Sequence, residues 1–270
     1  MVKIISLGWG VQSWTLALMS MYGELPKVDF VIHADTGWES SGTYEFEKTY
    51  TKFLEDGGIR VVMVNDFETS KKIEQDNEII MAPVFSIDNN NGNKGHLLRV
   101  CTQRWKIVPM RRYISEYLKE RGIKKTPGIV EQWLGITTDE FERAKDSDVK
   151  YIKHRFPFLE LGMSRKDCVD YLQEKGLPSP GKSACTFCPY HSPKFWREIK
   201  SQGGENWNEA VRIDKLIRNK RPGFNVFVHP YAMPLEEATT EYDKRKAIDD
   251  MQMQMFDVPD DECDSGYCFL

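Results

Sequence analysis

The chain has 270 residues, with 37 Lys and Arg against 41 Asp and Glu, for a net charge of −4. At 40% hydrophobic and 12% aromatic residues it can bury a sizeable core, which excludes a disordered, collagen-like or disulfide-stapled chain. There is no general basic excess, so a nucleic-acid site has to be a local patch. No apolar run approaches the roughly 18 residues of a membrane-spanning helix. Near the N-terminus, Gly8, Trp9, Gly10 and Gln12 interrupt the apolar stretch that would otherwise imitate a leader. The expectation is a cytoplasmic protein without a membrane role. In that compartment six cysteines serve metal binding, catalysis or plain burial rather than disulfides.

Residues 2–7 form a short apolar strand that runs into Gly8-Trp9-Gly10, after which Val11, Trp14, Leu18 and Met21 share one face of a helix. A second strand spans 30–34. Ser40 or Ser41 caps a helix with Phe46, Tyr50, Phe53 and Leu54 inward, Gly57-Gly58 ends it, and a third strand spans 59–64. The stretch 83–96, with its Asp88-Asn89-Asn90-Asn91-Gly92-Asn93 run, reads as a mobile polar loop. Pro109 suits the first turn of a helix whose inner face is Met110, Tyr113, Ile114, Tyr117 and Leu118. Strands at 129–136 and 151–158 follow, and Ser164 with Asp167 starts a short helix. The alternation then fades into a Pro- and Gly-rich stretch at 176–182 and an acidic tail from Asp249.

Strand–helix alternation implies a parallel sheet with right-handed crossovers, here in a domain spanning 1–160. Residues 161–270 are expected to form a smaller, mostly helical, cysteine-bearing domain. Ligands of such sheets bind beyond the carboxyl ends of the strands. Residues 8–13, 35–39 and 135–140 are therefore expected at one crevice.

Glycines at 8 and 10 let the backbone approach an anion, the following helix start supplies amides and partial positive charge, and Ser6 and Ser13 add hydroxyls. The loop lacks the Gly-Lys-Ser/Thr ending of a Walker loop, and Ser13 stands where a dinucleotide fingerprint has its third glycine. The alternative is a tight strand-to-helix turn whose glycines serve packing alone. Asp35 ends an apolar strand, where a carboxylate holds a ribose hydroxyl or Mg²⁺ or faces a nearby helix start. Asp139 and Glu140 orient Mg²⁺ or Arg143, or cap a helix. Lys106 and Arg99 meet phosphate or belong to a solvated basic face.

Ser6-Leu7-Gly8-Trp9-Gly10-Val11-Gln12-Ser13 resembles the pyrophosphate loop (PP-loop) of the ATP pyrophosphatases and the phosphoadenosine phosphosulfate (PAPS) reductases. Asp35-Thr36-Gly37-Trp38-Glu39 resembles the reductases' Asp-Thr-Gly-x-Glu segment, and Cys101 through Lys106 their Cys-x4-Lys segment. Gly135-Ile136 with Asp139, Glu140 and Arg143 resembles their Gly-Ile-x-x-Asp-Glu-x-x-Arg stretch, and Glu262-Cys263 their Glu-Cys-Gly ending. The set spans most of the chain in the family's order. Trp9 stands where a glycine is usual, and Gln12 where PP-loop ATPases carry an acidic residue. The chain looks most like phage-type or DNA-phosphorothioation-type members.

The resemblance implies an adenine nucleotide alpha hydrolase-like, Rossmann-like domain that binds ATP, or PAPS as substrate, through Ser6, Gly8, Trp9, Gly10, Gln12, Ser13, Asp35, Thr36, Gly37, Gly135 and Arg99. Mg²⁺ accompanies the phosphates. Among the cysteines, Cys185-Thr186-Phe187-Cys188-Pro189 has the spacing of a metal knuckle, for zinc completed by His191 or for iron–sulfur. With Cys101 in the family segment and Cys263 and Cys268 in the tail, the resemblance favours a [4Fe–4S] cluster on Cys101, Cys185, Cys188 and Cys263, with zinc the alternative and Cys268 the alternate fourth ligand. Cys168 reads as a core residue beside Tyr171 and Leu172.

The implied activity is adenylation of a substrate oxygen with pyrophosphate release, followed by sulfur transfer to a nucleotide or nucleic acid, with Cys268, Lys106 and Asp35 as catalytic candidates. A sulfur donor protein and a homo-oligomer are the expected partners. A true PAPS or adenylylsulfate reductase, in which a tail cysteine attacks the sulfur, is the alternative enzyme. A nucleotide- or nucleic-acid-binding module with structural zinc is the non-catalytic one. For nucleic acid, Lys182, Lys194, Arg197 and Lys200 interleave with Phe187, Tyr190, Phe195 and Trp196, and Lys215, Arg218, Lys220, Arg221 and 244–246 add charge. The competing reading is a helical domain with core aromatics and a solvated charged face.

Overall fold

The computed structural model describes residues 1–75 and 80–240. In chain order the elements are β1 (Val2–Ser6), α1 (Val11–Met21), β2 (Phe30–Asp35), α2 (Ser41–Asp56), β3 (Val61–Asn65) and α3 (Phe67–Ser70), which leads into a 3-10 turn at Lys71–Glu74. Then come β4 (Phe85–Asp88), β5 (Lys94–His96), a π-helical segment at Thr102–Ile107 and α4 (Val108–Glu120). They are followed by β6 (Val130–Trp133), a 3-10 segment at Thr138–Arg143, β7 (Ile152–Arg155), α5 (Pro157–Leu161) and α6 (Arg165–Glu174). The last are α7 (Pro193–Gln202), α8 (Gly204–Ile217) and β8 (Phe224–Phe227).

Among the described residues two compact units form, each from two stretches of chain: 1–66 with 103–184, and 67–102 with 185–240. The first carries a five-stranded parallel sheet in the order β3-β2-β1-β6-β7. All six residues of β2 are buried, as expected of a strand covered on both faces. Ile5 and Leu7 pack on one face against α1, Leu54 of α2, and Cys168 and Leu172 of α6. Val2, Ile4, Phe30 and Ile32 pack on the other against Met110, Ile114, Tyr117 and Leu118 of α4. This is the parallel α/β architecture expected from the alternation of apolar runs.

The second unit departs from the sequence reading in one respect. Residues 83–96 are not a loop: β4 and β5 form an antiparallel hairpin, and β4 also pairs with β8 to give the order β5-β4-β8. The polar run is turn chemistry. Asp88 accepts the Asn90 N–H at 2.8 Å and an Asn91 side-chain N–H at 3.2 Å, and Gly92 takes φ of 73°. The unit is accordingly helical and sheet-bearing. Cys168 and Leu172 bury against α1, and β4 belongs to a sheet completed by β8.

Candidate functional site

Strand order reverses between β1 and β6, and the two segments that follow these strands meet there. The loop after β1 is closed by its own polar groups. Ser13 Oγ accepts the Gly8 N–H at 3.1 Å and donates to the Gly10 carbonyl at 3.2 Å, while the Ser183 hydroxyl donates to the Gly8 carbonyl. Ser6 is buried, and its hydroxyl accepts from Gln132 Nε2 at 2.6 Å. Trp9 adopts φ of 57°, a left-handed conformation that favours glycine. Its indole lies against Trp14, Phe46 and His33, with ring centroids 6.1 to 6.4 Å away. α1 then opens with no side-chain cap and no acidic residue in its first turn, so its leading amides and partial positive charge are available to an anion.

The segment after β6 presses on that first turn. A Cβ on Gly135 would lie 3.0 Å from Gln12 C and Ser13 N, so any larger residue requires that backbone to give way by a few tenths of an ångström. Gln12 bridges outward: its Nε2 donates to Glu140 Oε1 at 3.1 Å, and its Oε1 accepts from the Arg165 guanidinium at 3.2 Å. Glu140 also pairs with Arg143, and Asp139 accepts the backbone N–H of Arg165 at the start of α6. Of the two readings open for these carboxylates, Glu140 orients Arg143, and Asp139 serves a helix start.

At the end of β2, Asp35 Oδ1 accepts the Gly37 N–H at 2.7 Å and the Tyr44 hydroxyl at 2.9 Å, closing the turn that carries Thr36 and Gly37. Thr36 donates to Glu39 Oε1 at 3.0 Å, and Lys106 Nζ lies 3.6 Å from the same oxygen. Lys106 and Glu39 are only 7% and 3% exposed, so Lys106 is no part of a solvated basic face. Glu39 Oε2 is buried without a hydrogen-bond partner. Behind them, burial and then the Asp35 and Glu39 carboxylates push the Glu47 carboxyl up to about 7, opposed by the nearby Trp9 indole. His33 Nε2 sits 3.9 Å from Glu47 Oε2, and burial holds the imidazole pKa down. Desolvation, reinforced by Asp35, also raises the Tyr44 hydroxyl.

Sequence reasoning missed His33, Tyr44, Glu47 and Arg165. A signal existed for two of them. His33 interrupts a fully apolar strand, and Glu47 lies three residues before Tyr50, beside the inward stripe of α2.

In the second unit, Cys101, Cys185 and Cys188 are partly exposed thiols within one compact body. The Arg99 guanidinium stands 5.4 Å over the Tyr190 ring, and the His96 ring is 6.0 Å from it, so the segment leading to Cys101 lies beside the knuckle. The knuckle turns tightly, with the Cys188 N–H donating to Cys185 O and the His191 N–H to Cys188 O, both at 3.0 Å. His191 Nε2 is 2.9 Å from the Cys185 carbonyl and its ring stacks on Phe195, which commits that nitrogen to the backbone. Among the described residues, no three His, Cys, Asp or Glu side chains group as ligands of a metal ion. Cys263 and Cys268 lie outside the described residues. Cys168 is in the core of the first unit, its thiol pushed up to about 12 by burial.

The expected stacking face is largely spent on the fold. Phe187 and Trp196 are buried and offer no ring to a base, leaving Tyr190 and Phe195 partly exposed. Lys215 pairs with Glu236, Arg218 with buried Asp214, and Lys220 donates to the Ile73 and Gln75 carbonyls. Lys200 donates to Thr239 at 2.7 Å. Lys194 and Arg197 remain on the exposed side of α7, and residues 244–246 lie outside the described residues. Among the described residues, no helix is long and apolar enough to cross a membrane.

No family model matches the chain, and no curated protein matches its sequence. Among solved structures, the crystal structure of phosphoadenylyl-sulfate (PAPS) reductase from Candida auris in a phosphate complex is similar over 67% of this chain and 75% of that chain, with 11% sequence identity and a TM-score of 0.42.

Proposed function

We propose that this chain is a PAPS-reductase-like PP-loop enzyme that binds ATP, adenylates a substrate oxygen with pyrophosphate release, and supports sulfur transfer to a nucleotide or nucleic acid. The observation that carries the reading is the uncapped first turn of α1 at the switch point of a parallel sheet, with the guanidinium of Arg165 held against it.

The substrate oxygen attacks the α-phosphorus, the bond to the bridging oxygen breaks, and pyrophosphate departs. The amides of the loop and of the first turn of α1 stabilise the charge that develops on the leaving group. Lys106, kept in place by Glu39, offers an ammonium at the end of β2. Asp35 holds the turn that presents Thr36 and Gly37 to the nucleotide. Mg²⁺, which characteristically binds through phosphates, waters and one or two carboxylates, needs no dedicated three-ligand cage.

Cys101, Cys185, Cys188 and Cys263 would hold a [4Fe–4S] cluster, with Cys268 as alternate ligand or sulfur carrier. The support is that three of these thiols share one unit and that Arg99 stacks on Tyr190 between their segments. Such a cluster, when bound, supplies iron-held sulfur or electrons. The commitment of His191 Nε2 to a carbonyl counts against a zinc site completed through that nitrogen. A sulfur donor protein completes the reaction.

The test is anaerobic purification with iron, sulfide and zinc analysis, followed by assay of pyrophosphate and AMP from ATP. Iron with sulfide and ATP-dependent pyrophosphate release are expected, and C185S is expected to lose the iron. Sulfite released from PAPS without ATP consumption would replace this reading with the reductase. Zinc alone with no turnover would replace it with a binding module.

A further inference from the structure

His33 sits in the fully buried strand β2 and is itself 2% exposed. Its Nδ1 lies 2.9 Å from the Leu7 carbonyl. A carbonyl oxygen only accepts, so Nδ1 carries a proton and donates it, and Nε2 of the neutral ring is a bare acceptor. That nitrogen faces Glu47 Oε2 at 3.9 Å, beyond hydrogen-bond range. Nε2 and both Glu47 oxygens are buried without a hydrogen-bond partner among the described residues. Two buried acceptors set face to face are unfavourable unless a proton sits on one of them.

This pair is tied to the loop on both sides of Gly8. The Leu7 carbonyl held by His33 belongs to the same peptide group as the Gly8 N–H. That N–H donates to Ser13 Oγ at 3.1 Å, and the Ser13 hydroxyl donates on to the Gly10 carbonyl. Hydrogen bonds in such a chain polarise one another. On the other side, the Trp9 indole lies near the Glu47 carboxyl and meets the His33 ring edge-on, with centroids 6.4 Å apart.

Around the pair stand Asp35 at the end of β2, Glu39 in the segment that follows, and Lys106 of the π-helical segment, while α1 packs Trp14 against Trp9. Burial, then Asp35 and Glu39, push the Glu47 carboxyl up to about 7, and burial holds the His33 imidazole pKa down, so the proton resides on Glu47. It is present below that pH and lost above it, and its loss leaves a further negative charge beneath a loop suited to an anion.

We propose that Glu47 and His33 are a positioning pair for the loop, and that a proton on the pair and a phosphate on the loop stabilise one another. The proposal rests on the reading of the loop as the phosphate site of a nucleotide and names a control of that site. Binding takes up a proton, and affinity falls as the proton is lost; linkage makes the two effects equal in size.

The experiment titrates sulfate, whose charge is constant near neutral pH, and ATP into the full chain, E47Q and H33N, by calorimetry in two buffers of different ionisation heat. Wild type is expected to bind sulfate about fivefold more tightly at about pH 6 than at about pH 8.5, and to take up roughly a third of a proton per sulfate at about pH 7.5. E47Q, a neutral mimic of the protonated acid, is expected to stay at the tighter value within about twofold across the range, with the uptake lost. H33N keeps a donor for the Leu7 carbonyl but removes the bare nitrogen, and is expected to lose about half of the uptake or more. A flat wild-type profile, proton release on binding, a wild-type slope in E47Q or wild-type uptake in H33N overturns the proposal. A merely structural Glu47 would instead lower affinity equally at every pH in E47Q. Thermal melts identify losses due to unfolding, and E47Q decides alone where H33N fails to fold. Wild type that binds sulfate with this linkage but not ATP defeats the nucleotide reading and leaves the pair standing. Wild type that binds neither defeats both.

Discussion

Trp9 is a bulky residue in a left-handed backbone, at a position in the loop where an anion-binding turn prefers glycine. That conformation costs about 1–2 kcal/mol for a residue with a Cβ. It persists because the indole is 1% exposed and boxed by Trp14, Phe46 and His33. Losing a buried tryptophan costs about 3–5 kcal/mol. Trp9→Gly is therefore expected to destabilise the protein by about 2 kcal/mol net, measured by denaturant unfolding, even though it restores the residue the loop prefers.

Glu47 makes a second single-residue prediction. Its carboxyl keeps its proton to about 7 in the fold but has a pKa near 4.5 in an ordinary setting. The unfolded chain thus releases a proton that the folded chain retains. Folding is opposed increasingly as pH rises through that interval, and the penalty is complete above about pH 7. Glu47→Gln removes it. The stabilisation of the variant over wild type is expected to be larger at about pH 8 than at about pH 4.5 by on the order of 2 kcal/mol, read from unfolding curves at both values. A pH-independent difference would mean that Glu47 is ionised throughout.

Between elements, the closest approach at the candidate site is that of Gly135 to α1. A methyl group there meets backbone atoms of Gln12 and Ser13 at 3.0 Å, and backbone cannot swing aside as a side-chain tip can. Gly135→Ala is expected to cost about 1–3 kcal/mol and to push the first turn of α1 out of register with the loop. Its ATP affinity should fall more than its melting temperature suggests, checked by titration beside a thermal scan. Other element starts were legible locally. Ser40 caps α2 by accepting the Thr43 N–H, Pro109 sits in the first turn of α4, and Ser164 with Asp167 caps α6, each within a few residues. The β4–β5 hairpin was not legible, because the Asp88–Asn93 run reads as unpackable until its side chains are seen to bond its own turn.

For the molecule as a whole, both units are built from stretches far apart in the chain. A fragment of residues 1–160 keeps the five parallel strands but loses Cys168 and Leu172 from the α1 side of the core, and leaves β4 without β8. Such a fragment is expected to unfold without a cooperative thermal transition. A sharp transition would show that residues 1–160 fold on their own.

The parallel sheet and the loop–helix junction at Gly8–Ser13 were readable because they are written in short-range signals: apolar runs, a period of 3.6, caps and glycines within a turn of one another. The same signals anticipated that residues 8–13 and 135–140 come together, as Gly135 against Gln12 and Ser13 and Gln12 with Glu140 do. Tertiary packing alone settled the pairing of residues 85–88 with 224–227, the burial of Lys106 against Glu39, the burial that raises the Glu47 carboxyl pKa, and the contact between Gln12 and Arg165. Each depends on groups brought together from distant parts of the chain or on the loss of water around a charge. Neither quantity exists until the chain has packed, so neither leaves a local trace in the order of residues.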